Sequence, residues 1–145
     1  MSLIKIANLC MIIDKEQNKV VLINRKKSWK GWAFPGGHLE GDESIIESVL
    51  REVKEETGLT ISEPSFEGIK HWYSPQTGER YMVFCFKTYK YTGTLRGTED
   101  EGEVAWFGME ALADMNLSEG LKEDLAIFTS EHFEERYAYW NTASS

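Results

Sequence analysis

The sequence predicts an α/β fold in which helices cover a mixed β-sheet. Three observations carry that prediction. Strand-like and helix-like segments mix along the 145 residues without a regular βαβ repeat. One segment, 43–57, has clear helical periodicity. A hydrophobic fraction of 41%, with 12% aromatic residues, is that of a chain that folds around a core. At this length about two thirds of the unfolded surface can be buried, so residues 1–145 suit one domain.

Residues 3–13 (LIKIANLCMII) are rich in strand formers, 14–18 read as a turn, and 19–25 read as a second strand, so the two are expected to form a hairpin. A loop containing Gly and Trp follows, from Lys26 to Gly37. In 43–57, Ile45, Ile46, Val49, Leu50 and Val53 recur at helical spacing, with a core face centred on Ile46, Val49 and Val53. Asp42 is the expected N-cap and Gly58 the residue just beyond the C-terminus. Segments 65–73 and 79–91 read as strands joined through Ser74-Pro75-Gln76-Thr77-Gly78. An acidic stretch, Glu99 to Glu103, leads into a short strand at 104–107, and short helices are expected near 109–115 and 118–129. The segment from Glu134 to Trp140, rich in Tyr and Trp, either covers the core or meets a second subunit.

Charge and composition exclude several roles. A net charge of −8 repels a nucleic-acid backbone, so nucleic acid is not an expected partner. The longest unbroken apolar run, Tyr81 to Phe86, has six residues, against the ~20 needed to span a bilayer, so no membrane segment is expected. The N-terminus lacks a basic region followed by a long apolar stretch. Cys10 and Cys85 stand in apolar, strand-like surroundings and read as two buried thiols of a cytoplasmic protein.

The informative constellation starts on the helix. Glu52, Glu55 and Glu56 stand at i, i+3 and i+4, within about 100° of arc on one face. Like charges this close destabilise a helix. Arg51 can reach Glu47 and Glu55, four residues away on either side, and relieve part of the strain. A divalent cation would relieve more, because Mg²⁺ takes hard oxygen ligands. Alone, this stripe reads more readily as a solvated acidic face than as a metal site.

The spacing around it is specific. Gly37, Glu43, Arg51, Glu52, Val53, Glu55, Glu56, Gly58 and Leu59 fit G-x5-E-x7-R-E-(apolar)-x-E-E-x-G-(apolar) without departure. This 23-residue pattern, Gly37 to Leu59, resembles the Nudix box. Trp32-Ala33-Phe34-Pro35-Gly36-Gly37 is similar to the family's lead-in, and Glu103-Val104-Ala105-Trp106-Phe107 to its later acidic-to-Trp strand. The resemblance implies a Nudix-type α/β/α sandwich with a mixed sheet. It implies that Glu52, Glu55 and Glu56 bind Mg²⁺ or Mn²⁺, with the Gly37 carbonyl as a further ligand. Arg51 would orient a box glutamate, Glu43 and Gly58 would support the loop and helix, and Gly36 and Gly37 would allow a tight turn with unusual dihedrals.

The implied reaction is water attack on one phosphorus of a diphosphate, with a carboxylate taking the proton. Glu52 and Glu55 on the helix and Glu99, Asp100, Glu101 and Glu103 in the later loop are the carboxylate candidates, with Glu103 preferred among the loop residues and then Glu101. Arg25 and Lys30 are the candidates for meeting the outer phosphates, while Lys26 and Lys27 read as surface charge. Trp29, Trp32, Tyr73 and Phe84 could stack on a base, although core packing is the ordinary role of each. The flanks resemble short bacterial 8-oxo-dGTP diphosphatases, which implies a small-molecule nucleotide substrate such as 8-oxo-dGTP, cut to monophosphate and pyrophosphate. Pro75, 16 residues after Leu59, hints at ADP-ribose, and nucleotide sugars belong with that alternative. A catalytically silent nucleotide-binding module is the non-enzyme alternative. Whether the chain is a monomer or a homodimer is left open.

Overall fold

The structure, a computed structural model, describes residues 3–26 and 30–138. The expectations for Lys27, Trp29, Tyr139 and Trp140 therefore fall outside the described residues. Strand β1 (Leu3–Asp14) turns through 15–18 into β2 (Lys19–Arg25), and β3 (Gly31–Ala33) follows. Helix α1 is Ile45–Thr57. Strands β4 (Thr60–Ser62), β5 (Ser65–Ser74), β6 (Glu79–Thr88), β7 (Lys90–Thr92) and β8 (Gly102–Gly108) come next. A 3₁₀ turn (Met109–Asp114), helix α2 (Leu121–Thr129) and strand β9 (Glu134–Tyr137) complete the order.

The main sheet runs β3-β2-β1-β6-β5-β9, with β8 on the other side of β2; β4 and β7 form a separate pair. The sheet is mixed, as expected: β1–β6 and β5–β9 are parallel, while β2 pairs antiparallel with β1, β3 and β8 and β5 pairs antiparallel with β6. The expected hairpin is only a junction. β1 runs beside β6 for ten residue pairs, Leu3 to Ile12, and shares only its last two, Ile13–Val20 and Asp14–Lys19, with β2.

Strand alternation divides the core in two. On one face Cys10, Ile12, Val21 and Phe86 meet Val49 and Val53 of α1. On the other Met11, Val20, Leu22, Phe34, Val83 and Cys85 meet Leu121, Ile127 and Phe128 of α2. The result is the α/β/α sandwich. Among the described residues no helix is long and apolar enough to cross a membrane.

Several boundaries moved. The N-cap of α1 is Ser44, not Asp42: Ser44 accepts from the Glu47 N–H, and Glu47 accepts in return from the Ser44 N–H. A Ser with Glu three residues on satisfies two orphan amides at once, which Asp42 cannot do here. Ile46, placed at the centre of the core face, is 43% exposed; Ile45 packs in its stead. The strand expected to reach residue 91 stops at Thr88, whose hydroxyl donates to the Ser62 carbonyl and accepts the Lys90 N–H, breaking the ladder. Of the two expected short helices, the first is 3₁₀ and the second starts at Leu121, later than 118. β9 went unread as a strand: Glu134–Tyr137 joins β5 at the sheet edge.

Candidate active site

The site is assembled where the 35–39 loop crosses β1 and meets α1. Three backbone hydrogen bonds pin the loop to the strand: Cys10 N–H to Pro35 O, Asn8 N–H to Gly37 O, and Leu39 N–H to Ile6 O, at 2.9, 2.9 and 3.0 Å. Gly36 and Gly37 are not among the residues at positive φ, which corrects the expectation of unusual dihedrals. Their reason is close approach. A Cβ on Gly36 would overlap the Asn8 carbonyl, and one on Gly37 would overlap the Glu52 carboxylate. Gly58 does need a left-handed conformation, φ 79°, and ends α1 with its N–H on the Lys54 carbonyl.

Arg51 does more than the one salt bridge expected of it. Its Nε and Nη2 form a fork on the two oxygens of Glu43, at 3.0 and 2.7 Å. Nη1 reaches Glu52 at 2.9 Å and Glu55 at 3.2 Å, and Nη2 also donates to the His38 carbonyl at 3.1 Å. It does not meet Glu47, which is engaged in the helix cap. Glu43 accepts the Glu40 N–H as well, so it ties loop to helix. The Arg51 guanidinium holds the Glu43 carboxyl down at about 2.

Glu56 is the buried member of the triplet, 3% exposed, and accepts the Gly36 N–H at 2.7 Å. Burial pushes its carboxyl up to about 8; the Gly36 amide and Arg25 oppose this, while Glu52 and Glu101 add to it. Burial raises Glu52 too, against Arg51. Glu55 is the open member, with 54% of its side chain exposed.

Among the described residues no three Asp, Glu, His or Cys side chains converge on one point. Arg51 stands between Glu43, Glu52 and Glu55 and accounts for that. The residues nevertheless fit a divalent cation. They are hard oxygen donors on one helix face, two of them raised by burial and mutual repulsion, a strain that an added positive charge reverses. The Gly37 carbonyl already accepts from Asn8, which leaves it one further lone pair.

The later carboxylates separate. Glu101 raises both Glu52 and Glu56, so it faces the box. Glu103 pairs with Asn24 in β8, and alternation from Phe107 puts it on the face away from α1. Of the two, Glu101 is therefore the one whose charge reaches the box carboxylates. Glu99 and Asp100 are exposed, and Lys26, read as surface charge, donates to the Glu99 carbonyl at 2.9 Å and so steadies this loop.

Beside the box lies an open cleft of about 710 Å³, including its mouth. Arg25, Gly36, Gly37 and His38 line one part; Lys70, Trp72, Tyr81 and Asp124 line another. Of the residues expected to meet substrate, Arg25 and Gly36 line this cleft. Lys30 is exposed and Phe84 is elsewhere: Phe84 points to the α1 face, stacked on Phe66 with ring centres 5.5 Å apart. One residue of strand parity separates it from Val83, which does line the cleft. Trp32 packs edge-on to Phe107, and Tyr73 lies under Arg80, neither in the cleft. The aromatic wall is instead Trp72 on Tyr81, centres 4.8 Å apart and nearly parallel. Sequence reading missed Lys70, Trp72, Tyr81 and Asp124. The alternation of β5 and β6 contained the signal, but only the pairing register says which face meets α2.

Comparison with known proteins agrees with this architecture. The NUDIX domain family matches residues 5–129. The chain is similar to the uncharacterised Nudix hydrolase YvcI of Bacillus subtilis, 31% identical over 71% of this chain and 66% of that one. It is also similar to an ADP-ribose pyrophosphatase of Methanocaldococcus jannaschii, 38% identical over 70% of this chain and 60% of that one. The chain thus spans about two thirds or less of these relatives' length. A mutator MutT protein of Bacillus halodurans superposes with a TM-score of 0.83 at 24% identity, over 97% of this chain and 93% of that one, a likeness of fold. A complete box on a pinned loop and capped helix, within a domain matched over most of the chain, places this protein in the Nudix hydrolase family.

Proposed function

We propose that this chain hydrolyses the diphosphate linkage of a nucleoside diphosphate derivative. The leading substrate is a purine nucleoside triphosphate, oxidised or not, such as 8-oxo-dGTP, released as monophosphate and pyrophosphate. One observation carries the reading: a single cleft joins the box loop, at Gly36, Gly37 and Arg25, to the aromatic wall of Trp72 and Tyr81. Such a cleft can take phosphates at the box end and the nucleoside along its more apolar end.

Glu52, Glu55 and Glu56 would hold Mg²⁺ or Mn²⁺, with the Gly37 carbonyl as a further donor. A bound divalent cation supplies charge neutralisation on the phosphate oxygens. Arg25 draws the phosphates to the mouth of the box. Arg51 fixes the rotamers of Glu52 and Glu55 through its hydrogen bonds, so less ordering is left for the bound state. Glu101 takes the proton from the attacking water; Glu103 is the lesser candidate. Two free, buried cysteines fit a reducing compartment, and we place the enzyme in the cytoplasm, acting as monomer or homodimer.

ADP-ribose is the second reading, favoured by the named activity of the M. jannaschii relative. Pro75 lends little to it, since it occupies an exposed turn between β5 and β6. The deciding experiment is a Mg²⁺-supplemented panel of 8-oxo-dGTP, ordinary NTPs and dNTPs, ADP-ribose and nucleotide sugars. Glu55→Gln and Glu56→Gln serve as controls. Selective cleavage of ADP-ribose would replace the leading substrate. No turnover of any member would leave a silent binding module, and full activity in both variants would remove Glu55 and Glu56 from the reaction.

A further inference from the structure

We infer that Asn8 and Ser48 are positioning residues that set the spacing between the Gly37 carbonyl and the glutamates of α1. The inference rests on the reading above, that these oxygens hold a divalent cation for hydrolysis, and it names two residues that the box pattern does not specify.

Asn8 is a joint of three elements. Its N–H donates to the Gly37 carbonyl at 2.9 Å, and its own carbonyl lies under Gly36, where a Cβ would overlap it. Its side-chain amide donates to the Ser48 hydroxyl of α1 at 2.8 Å. One residue of β1 thus holds both the loop and the helix. Asn8 is 3% exposed, and Ser48 is fully buried. Around this bond the contact between α1 and the sheet is apolar, with Val49 and Val53 on Cys10, Ile12, Val21 and Phe86. A hydrogen bond adds what apolar contact lacks, a preferred direction and length.

Two other hydrogen bonds join loop and helix: Gly36 N–H to Glu56, and Arg51 to the His38 carbonyl. Both are made by side chains that a bound cation attracts or repels. The Asn8–Ser48 bond involves neither, so it holds the spacing with or without the cation. Accepting from Asn8 leaves the Ser48 hydroxyl free to donate, and it helps to hold the Glu43 carboxyl down. Glu43 in turn takes the Arg51 fork, and Arg51 reaches Glu52 and Glu55.

Stability does not explain the pair. Asn8 Oδ1 is buried and has no hydrogen-bond partner among the described residues. Turning the amide over only exchanges which end is stranded. An unmade hydrogen bond in the interior costs stability, whereas apolar side chains at both places can be neutral or better. A polar group buried at that cost beside the box is explained by what it positions.

The test is Asn8→Val with Ser48→Ala, which replaces both partners by apolar groups. The double variant should melt at or above the wild-type temperature. Titration with Mn²⁺ alone, followed by loss of the free-ion EPR signal, should show affinity about tenfold or more weaker. At saturating Mg²⁺, kcat should fall about tenfold while KM stays within about threefold. Ser48→Ala alone strands the whole Asn8 amide, so it should lose the same Mn²⁺ affinity and also melt lower. Wild-type Mn²⁺ affinity in the folded double variant overturns the inference. A melting temperature that falls sharply in the double variant overturns it too, by making the pair structural. Those results leave hydrolysis standing. Weaker Mn²⁺ binding in the variants of a chain that turns over no nucleotide sinks hydrolysis and keeps the positioning, and a wild type that binds no Mn²⁺ sinks both.

Discussion

At the scale of single residues, Glu56 stands in the sharpest conflict. With an ordinary carboxyl pKa it would be charged at neutral pH, yet it is buried and close to two other carboxylates. With its folded pKa raised to about 8, its contribution to stability is fully present below the unfolded value near 4.5 and is lost as pH rises through 8. The metal-free protein should therefore lose stability between those values, and Glu56→Gln should remove much of the loss. Gln keeps the acceptor for the Gly36 N–H. The gain at pH 8 is expected on the order of a few kcal/mol at most. Thermal unfolding in chelator across that range measures it, and a flat wild-type profile would contradict the argument. Glu43 has the opposite sign. Its carboxyl is held at about 2 by Arg51, so its contribution is present above the unfolded value and lost as pH falls through 2. The stability gap between wild type and Glu43→Gln should close over the window from about 4.5 to 2, as read from urea unfolding. Glu101 and Glu103 are told apart by turnover: Glu101→Gln should lower kcat by about 10²-fold or more, and Glu103→Gln by only a few-fold. Comparable losses would return Glu103 to the first place that the sequence had suggested.

At the scale of elements, the cap of α1 is a direct test of local packing. Ser44→Ala removes a hydroxyl that satisfies the Glu47 amide and should cost about 1 kcal/mol. Asp42→Ala should be neutral within about 0.5 kcal/mol, since Asp42 is an exposed turn residue. Denaturant unfolding of the two variants distinguishes them. This pair also marks how far the sequence could be read. The helix, its C-terminal Gly58 and the grouping of Glu52, Glu55 and Glu56 followed from periodicity and spacing, which are local. The choice between Asp42 and Ser44 turned on a reciprocal bond to Glu47 that spacing permits but does not require. Phe84 and Trp72 show the harder limit. Each is an aromatic in an apolar strand, and only the register of β5 on β6 and the position of α2 decide which one faces the cleft. Phe84→Leu should accordingly lower the melting temperature and leave KM unchanged within about twofold. A large rise in KM would mean that the α1 face of the sheet also meets substrate.

At the scale of the whole molecule, one sheet serves two cores, and each contains a cysteine. Cys10 on β1 packs against α1; Cys85 on β6 packs in the layer of α2. The register sets Leu9 opposite Cys85 and Cys10 opposite Phe86, so the thiols lie on opposite faces and cannot pair without unfolding. Burial pushes both up to about 12. At pH 8 the native protein therefore holds almost no thiolate, and a disulfide reagent must wait for an opening that exposes the sulfur. If both layers open only with the shared sheet, Cys10 and Cys85 should label at one common rate, slowed by roughly 10³-fold or more for a stability of at least about 5 kcal/mol. Cys10→Ser and Cys85→Ser, labelled separately, measure the two rates, and denaturant should release a single thiol in each. Faster labelling of Cys85 would show that the α2 layer opens on its own, and the wall that positions Lys70 and Asp124 would then move as substrate enters. Equal rates would make that wall part of the same rigid unit as the box.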